Sequence, residues 1–128
     1  MAKGSGSLAG RRILVVEDDW FIAQDICELL TGCGAEILGP HGQLEPGVDA
    51  AETADPLDGA VIDLNLHGAE TTAILERLAA RNVRFVIVTG YDTGGLAAEF
   101  TAAPRLVKPF DGPMLRAAVE KEIGGRHG

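Results

Sequence analysis

The chain has 128 residues, 46% of them hydrophobic, which suits one domain with a single core. Its formal net charge is −8 at pH 7 and it lacks the basic face of a nucleic-acid-binding domain, so we expect no nucleic-acid partner. No apolar run approaches the roughly 20 residues of a membrane span, and the start is no signal peptide. We therefore expect a soluble cytoplasmic protein without a membrane partner.

The two ends of the sequence are expected to lie outside the folded domain. Residues 1–10 are small and rich in Gly and Ser, which is typical of a flexible leader or tag. Residues 124–128 are expected to form a frayed tail. The domain would then span residues 11–123.

Between these ends, short apolar runs alternate with amphipathic segments. The apolar runs have almost no polar interruption, as expected for parallel strands that are covered on both faces. The amphipathic segments repeat their apolar residues at helical spacing, and Asp19 is expected to cap the first of them. In chain order, the predicted elements are a strand over 12–17, a helix over 19–31, a strand over 35–39, a helix over 43–54, a strand over 59–63, a helix over 70–81, a strand over 84–89, a helix over 94–102, a strand over 105–107 and a helix over 111–122.

This order, a strand followed by a helix five times, predicts the fold class. It favours an α/β fold, a doubly wound sheet of five parallel strands with helices on both faces. Right-handed crossovers leave few topologies, and we expect the flavodoxin-like strand order 2-1-3-4-5. In such sheets, ligands bind at the carboxyl ends of the strands.

Acidic, hydroxyl and lysine side chains follow the ends of four predicted strands. Glu17 and Asp18 follow the first strand, and Asp63 ends the third. Thr89 ends the fourth strand, and Lys108 follows the fifth. Since the carboxyl ends of parallel strands share one edge of the sheet, we expect these side chains to form one site.

These residue types indicate phosphoryl chemistry. Glu17, Asp18 and Asp63 supply the carboxylate oxygens that Mg²⁺ prefers. An aspartate is also a nucleophile toward a phosphoryl group, with which it forms an acyl phosphate. A metal ion and Lys108 would neutralise the charge on the transferring group, and Thr89 is placed to hydrogen-bond one of its oxygens.

The sequence resembles the receiver domains of two-component response regulators. The resemblance covers residues 12–122 and rests on four motifs in order: "ILVVEDD" at 13–19, "VIDLNLHG" at 61–68, "VTG" at 88–90 and "LVKPF" at 106–110. It implies that Asp63 is the phosphoacceptor, that Asp18 contacts Mg²⁺ directly and that Glu17 does so through water. It also implies that Asn65 offers its backbone carbonyl to the metal.

The same resemblance implies a switch and a set of partners. Thr89 would be the switch hydroxyl, Lys108 the phosphate-binding lysine and the Lys108–Pro109 bond a cis peptide. A histidine kinase would donate the phosphoryl group, and a separate output or phosphotransfer protein would receive the signal. The domain would be a monomer or weak dimer that phosphorylates and dephosphorylates itself, and not an enzyme with a separate substrate.

The aromatic residue near the switch differs from the common receiver pattern. Many receivers carry an aromatic three positions before the lysine, where this chain has Arg105. An aromatic, Tyr91, instead follows the switch threonine. The stretch "RFVIVTGYD" is similar to the Phe-Ala-Thr-Gly-Tyr signature of a subgroup of stand-alone receivers, which Phe85, Thr89, Gly90 and Tyr91 match. We expect Tyr91 to reorient when Asp63 is phosphorylated.

Two other functions share the strand-end pattern. An aspartyl-phosphate phosphatase of the dehalogenase type usually has a second acid two residues after its nucleophile, where this chain has Asn65. A flavodoxin-like nucleotide binder would need a phosphate-cradling loop after the first strand, where this chain has "EDDWF". Both patterns fit the sequence less well than a phosphoryl-receiving signalling domain.

Overall fold

The computed structural model describes residues 6–66, 69–90, 100 and 102–124, with the backbone alone at 69 and 70. Its elements alternate as the sequence predicts. In chain order they are β1 (Arg12–Val16), α1 (Trp20–Gly32), β2 (Glu36–His41), α2 (Leu44–Thr53), β3 (Gly59–Asp63), β4 (Asn65–Leu66), β5 (Ala69–Glu70), α3 (Thr72–Ala80), β6 (Arg84–Thr89), β7 (Arg105–Val107) and α4 (Gly112–Val119), with a π-helical turn over Glu120–Gly124.

Five of the strands form one parallel sheet in the order β2-β1-β3-β6-β7. Counted within this sheet, the order is the predicted 2-1-3-4-5, and the doubly wound α/β fold is confirmed. These strands are parallel to one another, so β1, β3, β6 and β7 all end at the same edge of the sheet. This edge is the one where the acidic and lysine residues were expected.

The sheet separates two apolar layers. Along β1, Ile13 and Val15 face one layer, and Leu14 and Val16 face the other. The first layer includes buried residues of α1 and α4, and the second includes buried residues of α2 and α3. The uninterrupted apolar sequence of the central strands follows from this, because both faces of each strand are covered.

The structure corrects the prediction of a flexible leader for residues 6–10. Leu8 is fully buried and packs in the same layer as Cys33 and Ile123. Its backbone is also held, since Leu8 N donates to the carbonyl of Cys33 at 2.8 Å and Arg11 N donates to the carbonyl of Leu8 at 2.9 Å. This segment therefore belongs to the folded domain.

A second difference lies between β3 and α3. The sequence predicts a helix that begins at residue 70, but α3 begins at Thr72, and β4 pairs antiparallel with β5 just before it. The helix predicted over 94–102 lies mainly outside the described residues, although Phe100 is described and buried.

Candidate phosphoryl-transfer site

Three carboxylates meet at the carboxyl edge of the sheet. Glu17 and Asp18 directly follow β1, and Asp63 is the last residue of the neighbouring strand β3. One oxygen from each carboxylate lies within 4.8 Å of the others. Glu17 and Asp63 are buried, whereas Asp18 is half-buried, so the cluster reaches the surface on one side.

Lys108 brings a cation into this cluster from the end of β7. Its Nζ donates hydrogen bonds to Glu17 Oε2 and to Asp63 Oδ2, each at 3.1 Å. The lysine itself is held where its backbone N donates to the carbonyl of Thr89 at 2.8 Å. Its ammonium therefore offsets part of the negative charge that the buried carboxylates would otherwise carry alone.

The pKa values of the site reflect this crowding. Burial, with the nearby charge of Asp63, raises the pKa of Glu17 to about 7, although hydrogen bonds from Asp19 N and Lys108 work in the opposite direction. Burial works to lower the pKa of Lys108, but hydrogen bonds to Glu17 and the charges of both carboxylates outweigh it, so the pKa of Lys108 is raised. The lysine thus stays protonated at neutral pH.

The carboxylate of Asp63 is held on both of its oxygens. Oδ1 accepts a hydrogen bond from the backbone N of Asn65 at 3.1 Å, and Oδ2 accepts from Lys108. The main chain is held as well, because the Thr71 hydroxyl donates to the carbonyl of Asp63 at 2.8 Å. The side chain of Asp63 therefore has a defined orientation at the edge of the sheet.

The donor set fits a hard divalent cation such as Mg²⁺. Glu17 Oε1 is buried and lies 3.0 Å from Lys108 Nζ, but outside hydrogen-bonding geometry, so this oxygen accepts no hydrogen bond. The nearby ammonium of Lys108 offsets part of the cost of burying this oxygen, and a divalent cation would offset more of it. Together with oxygens of Asp18 and Asp63, Glu17 Oε1 forms an all-oxygen group of the kind that Mg²⁺ binds.

The remaining residues named from the sequence are found near this edge where the structure describes them. Thr89 ends β6 and is 4% exposed, and Asn65 begins β4 on the surface. The Lys108–Pro109 peptide bond is cis. Asp19 caps α1, as predicted, by accepting from Ile22 N at 3.1 Å. Tyr91 lies outside the described residues.

Sequence reasoning missed Thr71. This residue directly precedes α3 and is fully buried, but "TT" at the start of an amphipathic segment looks like an ordinary helix cap. The sequence offered one weak signal, a threonine eight positions after Asp63 at the start of the next predicted helix. Only the tertiary contact reveals where its hydroxyl points.

No family model matches the sequence. The transcriptional regulatory protein PdtaR of Mycobacterium tuberculosis is 30% identical over 117 residues, which cover 88% of this chain and 57% of that protein. The chain thus spans a little over half the length of this curated relative.

Solved structures match over most of the chain. SdrG from Sphingomonas melonis Fr1 is 30% identical, with a TM-score of 0.75 and coverage of 85% of this chain and 92% of that one. A CheY-like response regulator receiver domain protein from Methanospirillum hungatei JF-1 has the same fold, with a TM-score of 0.75, 23% identity and coverage of 87% of this chain and 91% of that one.

Within the described residues, no helix combines the length and apolarity that crossing a bilayer requires.

Proposed function

Because the chain belongs to the receiver domains of response regulators, we propose that it accepts a phosphoryl group on Asp63 from a histidine kinase. The observation that carries the proposal is the position of Asp63. Its carboxylate ends β3 at the carboxyl edge of the sheet, between Asn65 N and Lys108 Nζ, with carboxylate oxygens of Glu17 and Asp18 within 4.8 Å.

The transfer step is a displacement at phosphorus. An oxygen of the Asp63 carboxylate attacks the phosphorus of a phosphohistidine, and an O–P bond forms while the P–N bond breaks. The imidazole nitrogen leaves with the electron pair and takes up a proton from solvent. Water later attacks the phosphorus of the acyl phosphate, which restores the carboxylate and releases inorganic phosphate.

The neighbours of Asp63 prepare the site for this step. Lys108 already contacts Asp63 Oδ2, so its ammonium is positioned to follow the negative charge onto a transferred phosphoryl group. Glu17, Asp18, Asp63 and the carbonyl of Asn65 would hold Mg²⁺. The bound ion would neutralise charge on the phosphoryl oxygens during transfer.

The signal would leave through Thr89, which ends the strand next to Asp63. A phosphoryl group offers strong acceptor oxygens that can draw a nearby hydroxyl toward it. In this proposal Thr89 moves toward the phosphorylated Asp63, and Tyr91 reorients together with the glycine-rich sequence at 92–95. The kinase and a separate downstream protein would bind the surface that this movement changes.

Phosphotransfer with a matched pair of variants tests the assignment. Wild-type protein, incubated with phosphorylated histidine kinases of the source organism and Mg²⁺, is expected to acquire a label that is labile in acid and in base and sensitive to hydroxylamine. Asp63→Asn should abolish that label. Asp58→Asn is the control, because Asp58 accepts a hydrogen bond from Arg12 N at 2.8 Å at the opposite end of the sheet.

Three results would contradict the proposal. The first is retention of the label by Asp63→Asn. The second is a labelled peptide that contains Glu17 or Asp18 instead of Asp63, and the third is failure of every kinase and small phosphodonor to label the wild-type protein. Loss of the label in Asp58→Asn as well would show that the assay reports on folding and not on the acceptor.

A further inference from the structure

Thr71 has an unusual position for a buried hydroxyl. It is fully buried at the residue before α3, where a threonine side chain normally accepts a hydrogen bond from an amide of the first helical turn. It makes no such capping bond here. Its hydroxyl instead donates to the carbonyl of Asp63, at 2.8 Å across eight residues of sequence.

Thr71 also contacts the residue that follows Asp63. Thr71 N donates to the carbonyl of Leu64 at 3.2 Å, and Leu64 N donates to the carbonyl of Val88 in β6 at 2.9 Å. Between Leu64 and Thr71, the backbone of Asn65 pairs with that of Glu70 in the β4–β5 ladder. Thr71 therefore ties both the backbone of Asp63 and the segment that carries Asn65 to the start of α3.

The segment that Thr71 contacts also carries the Asn65 amide that binds Asp63. Its backbone N donates to Asp63 Oδ1 at 3.1 Å, although its side chain lies on the surface. A ladder of two residues on each strand is only weakly stable by itself, so hydrogen bonds at its ends help to hold it. The orientation of the Asp63 carboxylate thus depends on a backbone that Thr71 holds from the far end of the segment.

We propose that Thr71 is a positioning residue for the acceptor site, whose hydroxyl holds the Asp63 main chain and keeps the Asn65 amide on Asp63 Oδ1. This inference rests on the proposed phosphoryl-accepting function of Asp63. It adds a residue that does not touch the phosphoryl group but sets the geometry of Asp63 and Asn65. The unused helix cap supports it, because the hydroxyl serves the site in place of α3.

Two matched pairs of variants isolate the hydroxyl. Thr71→Val replaces the hydroxyl of threonine with a methyl group at nearly the same volume. Thr71→Ser and Thr71→Ala both lack the methyl group and differ from each other in the hydroxyl alone. Thr72→Val is the control for a neighbouring threonine, since Thr72 is half-buried within the first turn of α3.

The first measurement is local and needs neither metal nor phosphate. In metal-free protein, amide hydrogen exchange of Asn65, followed by NMR, should be faster in Thr71→Val and Thr71→Ala than in wild type and Thr71→Ser. Exchange of core amides such as those of Val61 and Ile87 should change little. A purely structural role would instead accelerate exchange of all these amides together.

The second measurement is the rate at which a small phosphodonor, acetyl phosphate with Mg²⁺, labels Asp63. Loss of the hydroxyl should lower this rate by about tenfold, since small misplacements of reacting groups have large effects on rate. Thr71→Ser and Thr72→Val should retain a rate close to that of wild type.

Each outcome decides the inference. Unchanged Asn65 exchange and unchanged labelling in Thr71→Val would overturn it, as would equal defects in Thr71→Ser and Thr71→Ala. If Thr71→Val does not fold, the serine–alanine pair makes the same comparison. If wild-type protein is never labelled, the proposed function fails, but Asn65 exchange still shows whether Thr71 positions this segment.

Discussion

The two ends of the sheet are built on opposite principles. At the carboxyl end, the buried side chains include the charged or polar Glu17, Asp63 and Thr89, with a lysine between the acids. At the amino end, Leu8 and Ile123 close the core with apolar packing. Apolar burial at the amino end stabilises the fold, whereas the buried charges at the carboxyl end carry an electrostatic cost.

Close packing at the amino end leaves little space. A Cβ added at Gly59 would lie 2.5 Å from Ile123 Cδ1, so the first residue of β3 must be small where the π-helical turn crosses it. A Cβ at Gly124 would similarly lie 2.7 Å from Leu8 Cδ2. The N-terminal segment and the C-terminal turn therefore pack on each other and on the sheet.

The carboxyl end has the opposite balance. Two buried carboxylates share one ammonium, and Glu17 keeps one oxygen without a hydrogen bond. Buried charge of this kind is favourable only when the geometry and the compensating groups are good. Changes at this end are therefore expected to affect function strongly and stability weakly, or even to stabilise the protein.

The largest expected effect on stability is at the amino end. Leu8→Ala should lower the free energy of unfolding by about 2 to 5 kcal/mol, because it leaves a cavity beneath the sheet. Urea denaturation gives this value directly. Labelling of folded protein at Asp63 should be unaffected, since the two ends are distant and share no partners.

Met114→Ala serves as the control for this change, because the Met114 side chain on α4 is 49% exposed. It should cost less than about 1 kcal/mol. Equal effects of the two variants would mean that residues 6–10 do not seal the core.

A smaller effect, of opposite sign, is expected for Glu17→Gln. The pKa of Glu17 is raised from 4.5 to about 7. Between these two pH values, Glu17 is protonated in the folded state and ionised in the unfolded state. The contribution of Glu17 to stability is thus present at low pH and lost as the pH rises toward 7 and above.

Glu17→Gln removes this dependence. In EDTA, the free energy of unfolding of the variant minus that of wild type should therefore increase by on the order of 1 kcal/mol between about pH 5 and about pH 8. Chemical denaturation at several pH values measures the difference. A difference that is constant, or that shrinks with pH, would show that Glu17 is ionised in the folded protein throughout.

The smallest effect on stability is expected for Asp18→Asn. Removing one of three clustered carboxylates relieves repulsion, so the melting temperature in EDTA should be unchanged or slightly higher. Wild type should gain melting temperature when Mg²⁺ is added, because a ligand that binds the folded state stabilises it. The variant should lose that gain.

Asp49→Asn is the matched control, since Asp49 lies exposed on α2, away from the cluster. It should keep the response to Mg²⁺. A marked fall in the melting temperature of metal-free Asp18→Asn would show that Asp18 has a structural role.

Much of the carboxyl end of the sheet could be predicted from the sequence. Uninterrupted apolar runs such as Ile13–Val16 indicate strands covered on both faces, and the order of strands and helices limits the topology to very few arrangements. Glu17, Asp63 and Lys108 each stand at or directly after the end of such a run. Parallel topology then brings them to one edge, which explains how local sequence could predict a long-range cluster.

The amino end could not be predicted in the same way. Leu8 is a single apolar residue among Gly, Ser and Ala, with no periodicity to mark it as core. Its burial results from the space between Cys33 and Ile123, which are 25 and 115 residues away in sequence. Composition describes the average behaviour of a segment, whereas burial depends on whether a distant surface has a gap of the right shape.

Local sequence patterns account for the strand–helix alternation, for the edge of the sheet that carries the charges and for the residue types of the site. Two other features are visible in the folded protein alone. The Thr71 hydroxyl donates to the carbonyl of Asp63 instead of capping α3, and one oxygen of Glu17 lacks a hydrogen bond. These two kinds of feature differ in how far apart along the sequence the interacting residues lie. Periodicity and strand ends are set by neighbouring residues, whereas the direction of a hydrogen bond is set by whichever distant group folding brings within about 3 Å.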